Sequence, residues 1–196
     1  MSLSNDKKNR KPYKNTYLIA NNPQNIKFLN NHTFNENDHV IVFNNNRFKS
    51  HPAFKNIENI THFYRCAPDK LHGQRHFIGD CQCKKVIISL KKNHPVLLHW
   101  ISQDDTLSYY AGFWQFLNKY QYREQNKEPQ TGSLVFEVLK EYNYINKKSK
   151  IFLVGFTSIY DRGLWHGHSK DLEDQYFKSQ QEVYKGLIYL NDHVNN

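Results

Sequence analysis

Short apolar runs punctuate an otherwise polar chain, and their lengths and stops define the elements. Thr16-Tyr-Leu-Ile-Ala20 is a run of strand formers that ends at Asn21-Asn22-Pro23, a turn signal. Gln24 to Leu29 reads as a short helix. Val40-Ile-Val-Phe43 is a second buried-type strand, stopped by Asn44-Asn45-Asn46. Ile60-Thr-His-Phe-Tyr64, Val86-Ile-Ile-Ser-Leu90 and Pro95-Val-Leu-Leu-His99 follow as further strands. Residues 104–122 then switch to a helical period, with Leu107, Tyr110, Ala111, Trp114, Phe116 and Leu117 on one stripe. Thr131-Gly132-Ser133 opens a helix running to Glu141, with Val135, Val138 and Leu139 inward. Lys150-Ile-Phe-Leu-Val154 is a strong strand ending at Gly155, and residues 171–190 read as a last helix through Leu172, Tyr176, Val183, Leu187 and Leu190.

Short apolar strands alternating with helices imply an α/β fold with a mostly parallel sheet and helices on both faces. The expected organisation is a basic, disordered arm over residues 1–15 and one Rossmann-like domain over 16–196, with a small helical lid around residues 100–128. In such sheets ligands bind outside the carboxyl ends of the strands. The polar turns at those ends, Asn21-Asn22, Asn44-Asn45 and Gly155-Phe156, together with Thr131-Gly132, are therefore expected to converge on one crevice. An Asn amide donates and accepts at once, which suits a base, a ribose or a phosphate. The helix starting near Ser133 offers backbone N–H groups to an anion. Asn also simply terminates strands, and this chain is rich in Asn throughout.

Composition narrows the classes. Of the 196 residues, 15% are aromatic, enough for a packed core despite a mean hydropathy of -0.82. No apolar run approaches the ~18 residues of a spanning helix, and the polar start lacks the apolar core of a secretion signal. A cytoplasmic location follows as the expectation, with peripheral placement on an inner membrane. The net charge of +9 favours a phosphate-bearing or acidic partner: an anionic membrane surface, a nucleotide or a nucleic acid. Three cysteines argue against a disulfide scaffold. Cys66, His72, His76, Cys81 and Cys83 supply ligands for zinc, but without the paired spacing of a zinc finger. No metal is assigned.

The segment Trp165-His166-Gly-His168-Ser-Lys-Asp-Leu-Glu173 follows the late strand and precedes the last helix. A histidine near its ordinary pKa accepts a proton from a sugar hydroxyl at neutral pH, and a nearby carboxylate orients the ring. A surface loop, a His-x-His metal site or a hydrolase using His166, His168 and Glu173 would use the same residues.

Four stretches in order resemble the eukaryotic-type sialyltransferase family and the small bacterial sialyltransferases. They are Tyr17-Leu-Ile-Ala-Asn21-Asn22-Pro23, Val40-Ile-Val-Phe-Asn44-Asn45, Pro129-Gln-Thr131-Gly132-Ser133 with Ile151-Phe-Leu-Val-Gly155-Phe156, and His168-Ser-Lys-Asp-Leu-Glu173. The resemblance implies a GT-A-like variant of the Rossmann-like fold and an inverting, metal-independent transferase. Its donor would be CMP-sialic acid or a related CMP-activated acidic sugar, and its acceptor a glycan of bacterial capsule, lipopolysaccharide or lipooligosaccharide. It implies donor contacts from Asn21, Asn22, Asn44, Asn45, Thr131, Gly132, Ser133, Gly155, Tyr160 and His166. His168 becomes the general base, supported by Glu173. No cofactor beyond the CMP-sugar substrate and no nucleic-acid partner is implied. A basic nucleic-acid-binding module remains the competing reading, and the oligomeric state is left open.

Overall fold

The computed structural model describes residues 11–43, 48, 51–66, 85–90, 119–122, 124–127, 129–141, 143–156 and 168–190. Among them the elements run β1 (Asn15–Ile19), α1 (Asn25–Asn31), β2 (His39–Phe43), a short 3-10 turn (Pro52–Phe54), β3 (Asn59–Cys66) and β4 (Lys85–Leu90). They continue with α2 (Thr131–Glu141), β5 (Lys150–Val154), α3 (Lys170–Val183) and β6 (Leu187–Leu190).

The strands hydrogen-bond in the order β4-β3-β2-β1-β5-β6. β2 pairs with β3 and β3 with β4 in parallel, Val40 opposite Ile60 and Phe63 opposite Ile87. β1 and β5 run the same way, since Lys150 N–H bonds Lys14 O at one end and Ala20 N–H bonds Val154 O at the other. The order leaves β1 in one direction toward β4 and in the other toward β6, which is the doubly wound arrangement of a Rossmann-like α/β fold. Burial explains the strand sequences: all five residues of β2 are buried and four of five in β1, so both are mostly apolar, continuously buried runs rather than alternating ones.

The chain forms two compact units, interleaved in sequence. One holds Tyr17–Tyr110, Leu153–Phe156 and Tyr189–Asn196; the other holds Met1–Thr16, Ala111–Phe152 and Thr157–Ile188. The first packs Leu18, Ile19, Phe28, Leu29, Val40, Val42, Phe54 and Ile60 as its core. Around it Tyr17, Phe28, His32 and Phe34 form an aromatic cluster, with the Phe28 and His32 rings stacked at 4.6 Å. The second unit buries Tyr122, Leu134, Phe136, Val138, Leu139, Ile151, Leu172, Tyr176 and Phe177. Its α2 stops in a left-handed cap. Asn143 adopts φ +56, its N–H bonds Lys140 O, and Tyr144 N–H reaches back to Leu139 O at 2.9 Å.

Three expectations are corrected or bounded. The last helix ends at Val183, and Leu187–Leu190 is β6, so Leu187 and Leu190 pack as strand residues. Gly186 makes the change: a Cβ there would collide with Ser149 O as Ile151 N–H takes Gly186 O. Ordered chain also extends into the segment read as an arm, since Tyr13 N–H bonds Tyr144 O, the two rings stack, and β1 begins at Asn15. The predicted strand at 95–99 and most of the predicted helix and lid at 100–128 lie outside the described residues. The described end of that stretch shows Lys119 as helix followed by turn at 120–122, with Gln121 at φ +61.

Candidate functional site

In a sheet of this order, strands diverge from β1 and β5, and the crevice beyond their carboxyl ends is the general ligand position. The chain there is Ala20-Asn21-Asn22 after β1 and Gly155-Phe156 after β5. Asn21 is exposed and Asn22 is buried. The Asn22 amide is engaged at both ends: Oδ1 accepts Gln24 N–H at 2.9 Å, and Nδ2 lies 3.5 Å from Gly155 O. Asn22 thus builds the turn into α1, since Asn25 N–H also bonds Asn22 O. Phe156 meets Phe43 edge to face at 6.0 Å.

Asn25 is the residue at this end that the sequence did not single out. It occupies the first position of the buried stripe Asn25, Phe28, Leu29, and its Nδ2 donates to Ala20 O at 2.7 Å and to Val154 O at 3.3 Å. One amide therefore ties together the carbonyl just after β1 and the last carbonyl of β5. Its Oδ1 is buried with no hydrogen-bond partner among the described residues and lies against Gly155, where any Cβ would overlap the amide. Gly155 adopts φ +71, which glycine takes without strain. The available signal was a polar residue at a helical core position.

In the other unit the candidate residues cluster at two helix starts. Ser169 caps α3, its hydroxyl accepting Leu172 N–H, and Asp171 and Glu173 place negative charge in the first turn. His168, half-buried, sits just before that cap. Glu173 faces inward on the stripe Glu173, Tyr176, Phe177, Gln180. Its Oε1 accepts two hydrogen bonds, from Gln130 N–H at 2.6 Å and from the Tyr122 hydroxyl at 2.7 Å. Burial, and after it the Glu173 carboxylate, pushes the Tyr122 phenol well above its ordinary value, so Tyr122 stays a donor. Glu173 thereby fixes the residue immediately ahead of α2. Ser133 is fully buried and its hydroxyl donates to Gln130 O at 3.0 Å, while Gly132 is buried and Thr131 half-buried.

A second polar group lies between α2 and α3. Glu137 accepts from the Tyr176 hydroxyl at 2.7 Å and pairs with Lys140 at 2.6 Å. Lys140 also donates to Gln180 Oε1, and Gln180 Nε2 to the Tyr120 hydroxyl. Every member answers another, as a buried polar network requires.

The predicted site residues thus divide. Asn21, Asn22 and Gly155 stand together at the β1 and β5 ends; Thr131, Gly132, Ser133, His168 and Glu173 belong to the α2 and α3 starts. Asn44, Asn45, Tyr160 and His166 lie outside the described residues, as do His72, His76, Cys81 and Cys83. Among the described residues, no group of three or more His, Cys, Asp or Glu is placed to hold a metal ion, and no helix is long and apolar enough to cross a membrane. Comparison with protein-family models, with curated proteins and with solved structures finds no match.

Proposed function

We propose that the chain is an inverting glycosyltransferase that moves sialic acid or a related acidic sugar from a CMP donor to a glycan acceptor in bacterial surface-polysaccharide or lipooligosaccharide synthesis. The observation that carries the reading is the doubly wound parallel sheet whose two central strands end in Asn21-Asn22 and Gly155-Phe156. That is the general nucleotide position of such folds, occupied by the residue types that the four motifs assign to the donor.

The local contacts sharpen the roles. Asn21 is the exposed amide at the end of β1 and takes the hydrogen bonds to the cytidine nucleotide. Asn22, spent on Gln24 and Gly155, holds the turn that presents it. The start of α2 at Thr131 carries the positive end of the helix dipole, which favours the CMP phosphate as charge develops on it. His168 removes the proton from the acceptor hydroxyl, whose oxygen attacks the anomeric carbon as the bond to the CMP phosphate breaks. Glu173 is a positioning residue, because its carboxylate holds the Gln130 N–H ahead of α2. A phosphomonoester leaving group needs no metal in this scheme.

Thermal-shift titration with CMP, CDP, UDP, GDP and AMP tests it. A ligand bound only by the folded state raises its stability, so a shift specific to CMP is expected. Asn21→Ala should weaken CMP binding by about 1–3 kcal/mol. His168→Ala should keep the CMP shift and lose sugar transfer. No preference for CMP, or full transfer by His168→Ala, overturns the reading.

A further inference from the structure

The amino ends of β1, β5 and β6 have a chemistry of their own. Three segments meet there: residues 11–15 leading into β1, residues 143–151 leading into β5, and residues 183–188 joining α3 to β6. Backbone and hydroxyl bonds hold them in place. Lys150 N–H bonds Lys14 O at 2.8 Å, Tyr13 N–H bonds Tyr144 O at 2.9 Å, and the Ser149 hydroxyl bonds Tyr13 O at 2.7 Å. Ile151 N–H bonds Gly186 O at 2.8 Å, close enough that a Cβ on Gly186 would lie 3.2 Å from the Lys150 α-carbon. The loop carrying Lys147 and Lys148 is closed by Ser149 N–H on Asn146 O and by Lys148 N–H on Asn146 Oδ1.

These bonds gather Lys11, Lys14, Lys147, Lys148, Lys150 and Lys185 on one edge, and every one of them is exposed. None of the three segments contains Asp or Glu; the exposed Glu182 stands just before the last of them. Six cations and no anion within the segments make a surface for a polyanion. A second feature selects which polyanion. Val183 and Ile188, which flank Lys185, are 47% and 39% exposed. A nucleic-acid backbone offers such aliphatic side chains nothing, whereas the interface of an anionic bilayer takes both, headgroups for the lysines and the acyl boundary for Val183 and Ile188.

We propose that this lysine edge, with Val183 and Ile188, is a docking surface for an anionic lipid bilayer. It lies at the amino ends of β1, β5 and β6. The proposal is independent of the CMP reading, because binding is measured without nucleotide.

The test is sedimentation of the full chain with vesicles of phosphatidylcholine alone and of phosphatidylcholine mixed with phosphatidylglycerol. Binding is expected to the mixed vesicles only, and to weaken as salt is raised. Each lysine near a charged surface is worth about fivefold in partition, so Lys147→Gln/Lys148→Gln/Lys150→Gln should bind on the order of a hundredfold more weakly. Residues 1–10 are kept in all variants, so that loss belongs to the edge, and an unchanged melting temperature shows that these exposed substitutions spare the fold. Val183→Ser/Ile188→Ser should weaken vesicle binding and leave any binding to a short RNA duplex unchanged. Equal binding to both vesicle types, or an unaltered lysine variant, overturns the proposal. So does tighter binding to the RNA duplex together with vesicle binding that ignores Val183→Ser/Ile188→Ser, which would assign the edge to nucleic acid.

Discussion

At the carboxyl ends of β1 and β5 the polar group that joins the two strands is a neutral amide, Asn25; in the first turn of α3 the joining group is a carboxylate, Glu173. Each fastens backbone from distant parts of the chain. Asn25 donates to Ala20 O and to Val154 O, 129 residues away, while Glu173 accepts from Gln130 N–H and from Tyr122, 43 and 51 residues away. Among the described residues the amide leaves one oxygen without a hydrogen bond, and it depends on a bare glycine beside it. The carboxylate gathers two donors on one oxygen, and hydrogen bonds to an ionised acceptor are roughly twice as strong as neutral ones. The first joint is therefore limited by shape and the second by charge, and substitutions that alter only one of these separate them.

The largest effect is expected at the shape-limited joint. Gly155→Ala adds a Cβ that overlaps the Asn25 amide and forces a side chain into φ +71. Left-handed backbone and overpacking together should cost about 3–4 kcal/mol, read from the urea midpoint. Adding Asn25→Ala to that variant removes the obstacle, so the double variant should lose about 1–2 kcal/mol less than the sum of the two single losses. Strict additivity would show that the two side chains do not compete for the space.

Next comes the charge-limited joint. Glu173→Ala strands the Gln130 N–H and the Tyr122 hydroxyl in a buried site and should cost about 2–3 kcal/mol. Glu173→Gln keeps an accepting oxygen and the shape, and should cost about 1 kcal/mol. No loss for Glu173→Gln in urea unfolding would mean that the charge contributes little and that the two joints are of one kind.

These joints were unequally visible in the sequence. β5 is legible to the residue because Lys150-Ile-Phe-Leu-Val154 is an isolated apolar run with a polar start and a glycine end. Glu173 stood out by its spacing from His168, but its partners did not, since proximity across 43 and 51 residues comes from tertiary packing. Asn25 was hidden for a different reason. An Asn inside a seven-residue helix of an Asn-rich chain looks incidental until β1 and β5 turn out to be neighbours. The end of α3 was misread because Leu187 and Leu190 also fit a helical stripe, and periodicity does not separate a helix from a helix followed by a four-residue strand. Gly186, ahead of Leu-Ile-Tyr-Leu, was the local signal for the break.

Titration sharpens the contrast from the alkaline side. Burial, with the Asp38 charge second, pushes the Tyr17 phenol up to about 12, and burial first and neighbouring carboxylates second raise Tyr122, Tyr176 and Tyr184. A phenol whose folded pKa lies above the unfolded ~10 contributes stability that is whole below pH ~10 and is lost as pH rises through the folded value. Stability should therefore hold to about pH 10 and fall steeply toward about pH 12, with tyrosinate absorbance appearing together with the loss of helical circular dichroism. Tyrosinate absorbance that grows smoothly from about pH 9, ahead of unfolding, would show these phenols to be solvated. Tyr122→Phe should shallow the alkaline fall, since it removes the phenol held against Glu173.

The smallest effect is expected in acid, at His51. Its Nδ1 accepts Ala53 N–H at 3.2 Å, and its Nε2 lies 3.2 Å from Asn30 Oδ1. The neutral ring with its proton on Nε2 satisfies both contacts, while a second proton on Nδ1 would face the Ala53 N–H. Burial lowers the pKa of this ring. The linkage sign is opposite to that of the tyrosines: a base with a depressed folded pKa contributes stability that is whole above the unfolded value and is lost as pH falls below about 6.5. His51→Gln keeps a side chain able to accept and donate but cannot take up that proton, so its urea midpoint should change less than the parent's between about pH 7 and pH 5. Asn25 carries no ionisable group, so Asn25→Ala should lower the midpoint by the same amount at both pH values. A pH-dependent loss in Asn25→Ala would couple the amide to a titrating neighbour and end its description as a joint limited by shape alone.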